Sequence, residues 1–146
     1  FDQHYSQRNL VDNLSYLNLI SSIKNYCKIN GINFFYKAHP GKIPCLELSK
    51  IKNLKILDSY IPSEFFLDKK IITVSTSSGV LASSFKNMKI SLINLIPFNN
   101  EAFRNKVKKV LKLKIMTKIY VPSNLDQLKK LIKKKNIEKS TFIKPN

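Results

Sequence analysis

Apolar residues recur at gaps of three and four through residues 9–29, at Leu10, Leu14, Leu17, Ile20, Ile23 and Cys27. That is the spacing of one face of an α-helix. Asn30-Gly31 follows, and glycine best accepts the left-handed backbone of a helix stop. The pattern then changes. Residues 32–37 (INFFYK) form an unbroken apolar run rich in strand formers, which predicts a buried parallel strand. His39-Pro40-Gly41 breaks it. A short helix is expected within 42–52 and a weak strand over 54–57 (LKIL). Pro62-Ser63-Glu64 opens another short helix, because proline fits the first turn.

Residues 70–75 (KIITVS) give the clearest strand, and Thr76-Ser77-Ser78-Gly79 follows directly. A helix over 80–86 and a strand over 89–95 (KISLINL) come next. Asn99 or Asn100 then caps a helix carrying Phe103, Val107, Val110 and Leu111 on one face. A last short strand over 119–121 leads to a helix lined by Leu125, Leu128, Leu131 and Ile132, with Ser123 and Asp126 as its capping box. Strands alternate with helices across short connections. The pattern predicts the α/β class: a doubly wound, mostly parallel sheet with helices on both faces. The 146 residues fit one domain.

Composition narrows the function classes. The hydrophobic fraction of 43% is enough for a packed core, yet no apolar run approaches the roughly 18 residues that a membrane span needs. Cys27 and Cys45 form no CxxC pair and have no ligand-spaced histidine, so a zinc site or disulfide framework is not expected. A reducing, cytoplasmic setting follows. The sequence opens on Phe1-Asp2-Gln3, without an initiator Met or a basic-then-apolar leader pattern, and is expected to be a piece of something longer. The net charge of +17 suggests an anionic partner. Of 26 basic residues, however, only Arg8 and Arg104 are arginine, the side chain that forks onto phosphates and bases. Nucleic acid is therefore not the expected partner. Solvated lysine faces are the preferred reading, with attraction to an anionic inner membrane or glycan as the alternative.

In open α/β sheets, ligands bind beyond the carboxyl ends of the strands. Three polar clusters fall there: Lys37-Ala38-His39-Pro40-Gly41-Lys42, Pro62-Ser63-Glu64 and Thr76-Ser77-Ser78-Gly79. Ser77, Ser78 and Gly79 at a helix start suit a phosphate, because free N–H groups and the helix dipole both favour an anion. His39 with a nearby lysine can stabilise charge on a departing phosphate. Glu64 can accept hydrogen bonds from ribose hydroxyls. Each motif also has a plain reading: a turn at His39-Pro40, a helix cap at Ser77-Ser78, a first-turn acid at Glu64. Their order after three strands is what joins them. His4, Cys27, Cys45 and the aromatic residues read as structural. No HExxH motif, paired-carboxylate site or Walker loop is present, and no metal site is expected.

Taken together, FFYKAHPGK, IPSEFFL and ITVSTSSGVLASS resemble the donor-binding half of bacterial two-domain sialyltransferases of the GT-B type. The capsular polysialyltransferases and lipooligosaccharide sialyltransferases share this order of motifs. The resemblance covers residues 32–100 best. It implies that His39-Pro40 and Ser77-Ser78 hold the phosphate of CMP-sialic acid and that Glu64 binds the ribose. It assigns His39 the catalytic role, with Lys37, Ala38, Pro40, Gly41, Thr76 and Gly79 lining the donor. Spacings of 25 residues from His39 to Glu64 and 13 from Glu64 to Ser77 suit that family. The family's general base lies in an N-terminal acceptor domain. The resemblance therefore implies a C-terminal half that needs that partner domain and a glycan acceptor, and no cofactor beyond the donor. Two other readings stay open. One is a GT-B transferase with a CDP- or UDP-activated donor. The other is a non-enzymatic basic module that binds nucleic acid or membrane.

Overall fold

A computed structural model describes residues 12–39, 46–66, 71–76, 88–91, 95, 105, 109 and 119–141. The first helix, α1, spans Asn13–Ile29. Asp12 is its N-cap, accepting from the backbone N–H groups of Leu14 (3.1 Å) and Ser15 (2.9 Å). Hydrogen bonds from the Ser15 side chain and backbone, with a weaker one from Leu14, hold the Asp12 carboxyl below its ordinary 3.8. The helix ends on Asn30. The Ile32 N–H reaches the Cys27 carbonyl (2.8 Å) and the Gly31 N–H reaches that of Lys28 (3.2 Å). This is the paired closure that needs a left-handed residue, and Gly31 supplies it with φ of +66°.

The buried face of α1 differs from the predicted one. Tyr16, Ile20, Ile23 and Cys27 are buried, whereas Leu14 is 67% exposed. Successive gaps of three turn the face back by about 60° each, so a Leu14–Leu17–Ile20–Ile23 series ends about 180° from its start. Tyr16 stands in register with the buried stripe and takes the place expected of Leu14.

Five short strands are described: β1 (Phe35–Lys37), β2 (Lys55–Leu57), β3 (Ile72–Ser75), β4 (Met88–Ser91) and β5 (Ile119–Tyr120). They form two ladders, β1–β2 and β3–β4–β5, and every pair is parallel. Among the described residues no ladder joins β1 to β3. A second long helix, α2, spans Leu125–Thr141. Its cap lies one residue later than predicted. The Asn124 side chain accepts from the Gln127 N–H (2.9 Å), and the Gln127 side chain accepts from the Ser123 N–H (2.8 Å). Asp126 instead faces Lys129 at 4.0 Å, an exposed contact of little energetic weight.

Among the described residues a core cluster lies where α1 meets α2, with β3 against α2. Ile23, Cys27, Leu128 and Ile132 form its centre, with Ile72, Val74 and Tyr120 packed against it. Side chains alternate along a strand, so Thr73 and Ser75 project from the other face of β3, where they are buried, at 2% and 0% exposure, while Ile72 and Val74 are half-buried. A strand covered on both faces is what a parallel sheet requires. The helices expected over 80–86 and around 103–111 fall outside the described residues, apart from helical positions 105 and 109. Among the described residues no helix is long and apolar enough to cross a membrane.

Candidate functional site

Parallel pairing fixes the geometry of the first two clusters. Lys37 lies opposite Leu57, so the segments starting at Ala38 and Asp58 leave β1 and β2 from the same end. Lys37 is only 1% exposed. Its ammonium donates to the Ala38 carbonyl (3.2 Å) and to the Ser59 carbonyl (2.9 Å), clipping the two segments together. A buried ammonium is tolerated only when its protons are so used. Ala38 is buried beside it, and His39 is exposed.

The second segment is ordered by its own short contacts. The Tyr60 N–H donates to the Asp58 carboxylate (2.8 Å), and the Phe65 N–H to the Pro62 carbonyl (3.2 Å). The helix predicted to open at Pro62 is a single 3-10 turn, Ser63–Phe66, with Ser63 buried. Glu64 lies within that turn, and its side chain is not among those described. In the third segment Ser75 and Thr76 are buried, at 0% and 1% exposure. The Thr73 hydroxyl is also buried and, among the described residues, meets no hydrogen-bond partner. Pro40, Gly41, Ser77, Ser78 and Gly79 fall outside the described residues.

One cavity of about 290 Å³ joins these segments. Lys37 borders it from the first, Phe66 from the second and Thr76 from the third, while Ile20, Ile23 and Cys27 of α1 line it from the core. Burial pushes the Cys27 thiol up, which keeps it a neutral apolar wall and a poor nucleophile. Among the described residues no three His, Cys, Asp or Glu side chains gather as a metal site would require.

Sequence reasoning placed Lys37 against a ligand and missed its structural task. The available signal was a lysine closing an otherwise apolar run, INFFYK, where burial of the strand end carries the head group inward. It also missed the outward display of Tyr60 and Phe65, 79% and 81% exposed beside the same strand ends. Comparison of the chain with protein-family models, with curated proteins and with solved structures gives no match.

Proposed function

We propose that this chain binds a nucleotide-activated sugar beyond β1, β2 and β3, as the donor half of a two-domain glycosyltransferase. One observation carries the reading: Lys37, Phe66 and Thr76, one residue from each motif-bearing segment, border a single cavity. The cavity runs along β1 and β3 beneath α1 and reaches their carboxyl ends, beyond which nucleotide sites of α/β folds usually lie. The gap between β1 and β3 would be the switch point of a doubly wound sheet ordered β2-β1-β3-β4-β5.

The finer reading is CMP-sialic acid, and it rests on the order of His39-Pro40, Glu64 and Ser77-Ser78. Glu64 would accept from the ribose hydroxyls, and backbone groups from Ala38 onward would meet the cytosine. Transfer would break the bond between the sugar's anomeric carbon and the phosphate oxygen, with inversion. The electron pair leaves with CMP, and His39 with the Ser77-Ser78 segment stabilises the phosphate charge. The acceptor hydroxyl's proton would go to a base on the acceptor domain. The acceptor would be a glycan of capsule or lipooligosaccharide type. The charge of +17 supports peripheral contact with an anionic membrane surface.

Thermal unfolding with CMP, UMP and AMP tests this reading, since a ligand of the folded state raises the melting temperature. CMP is expected to give the largest shift, and Glu64→Gln to weaken CMP binding by about 1.5–3 kcal/mol. Equal shifts for all three nucleotides would remove the sialyl donor but keep a nucleotide site. No shift with any of them would remove the site itself.

A further inference from the structure

At the amino ends of β1 and β2 the chain gathers lysines around exposed apolar side chains. The Lys24 ammonium donates to the Lys52 carbonyl, which ties α1 to the turn before β2. Lys55 pairs with Phe35 across the ladder, and its ammonium lies 5.4 Å from the centre of that ring. Phe35 is still 50% exposed. Ile29, at the end of α1 and joined to β1 by the Gly31 turn, is 84% exposed, and Lys28 beside it is exposed as well. Glu47 is the single acidic residue between positions 13 and 57.

We infer that this end of the β1–β2 ladder is a docking face for an anionic lipid bilayer. The inference rests on the membrane contact proposed above and names the surface that makes it. Lysine ammoniums are compact point charges suited to a diffuse anionic surface, whereas reading a nucleic acid favours arginine forks. An exposed isoleucine and a half-exposed phenylalanine among those lysines can enter the boundary between headgroups and acyl chains. The face lies at the strand ends opposite Lys37 and Leu57, and Phe35 within it also lines the cavity.

Sedimentation with vesicles of phosphatidylcholine mixed with phosphatidylserine, against phosphatidylcholine alone, tests the inference. The chain is expected on the mixed vesicles only, with binding that fades as salt rises. Each lysine at such a surface is worth roughly fivefold, so joint Lys28→Gln, Lys52→Gln and Lys55→Gln should weaken binding about a hundredfold. Joint Lys130→Gln, Lys133→Gln and Lys134→Gln on α2 removes the same charge elsewhere and should cost less than about tenfold, the share expected of net charge alone. Ile29→Ser, which changes no charge, should weaken binding severalfold. Unfolding curves confirm that each variant is folded. Equal losses in the two lysine variants would overturn the docking face while keeping a general charge attraction. No binding to mixed vesicles would overturn both. Tighter binding to a duplex oligonucleotide, lost in the same variant, would assign the face to nucleic acid and overturn the lipid.

Discussion

Where α1 meets α2, the chain buries Ile23, Cys27, Leu128 and Ile132, none of them charged. Around the strand ends it buries Lys37, Ser63, Ser75 and Thr76 instead. The first region gains free energy from every apolar surface removed from water. The second gains little by comparison, because polar groups exchange water for protein partners at small net benefit. A domain that needed only stability would fill both places with aliphatic side chains. Polar burial at the strand ends fixes backbone geometry: the Lys37 ammonium holds the adjacent Ala38 carbonyl and the Ser59 carbonyl 22 residues further on.

Substitutions in the two regions should therefore fail in different ways. Leu128→Ala, at a position with 0% exposure, should lower unfolding free energy by about 2–5 kcal/mol in urea melts. Nucleotide binding by the molecules still folded should be unchanged. A loss below about 1 kcal/mol would mean that the α1–α2 seam is not the centre of the core.

Lys37→Met keeps much of the side chain's length but strips the buried Ala38 carbonyl and the half-buried Ser59 carbonyl of a donor. The expected loss is about 1–3 kcal/mol. Calorimetry with CMP should also show weaker binding, because the segments after β1 and β2 are no longer clipped. Unchanged stability with weakened binding would return Lys37 to direct ligand contact, as the sequence alone suggested.

The cap of α2 gives a smaller effect. Asn124→Ala should destabilise by about 1 kcal/mol, and Ser123→Ala should change little, because Ser123 contributes its backbone N–H. The reverse order in thermal melts would restore the Ser123 cap.

The smallest effect concerns Asp12. Its folded carboxyl titrates below the ordinary 3.8, so the cap's contribution is complete above that pH and is lost as pH falls through the lower, folded value. Asp12→Asn keeps an acceptor without the charge. It should flatten the acid limb of the stability curve below pH 3.8, followed by circular dichroism.

The elements were legible wherever local physics decides them. Asn30-Gly31 marked the stop of α1 because only a left-handed residue closes that turn, and Gly31 stands there. KIITVS announced β3 because its β-branched residues suit a strand and a polar cluster follows directly. The three motif segments were legible as chemistry because their residue types follow strands in order.

Tertiary structure decided the rest. Whether Leu14 or Tyr16 joins the buried stripe depends on how α1 rolls against its neighbours, which gaps of three and four leave open. Which cap α2 uses depends on the direction from which β5 delivers the chain, so Asn124 and Ser123 are equals in composition and unequal in place. Lys37 reads as a free cation in sequence, and only the parallel register that brings Ser59 beside it turns it into an internal clip. Local patterns are set by bonds between near neighbours. The meeting of Lys37, Phe66 and Thr76 around one cavity is set by contacts between segments far apart in sequence, and those exist only in the folded chain.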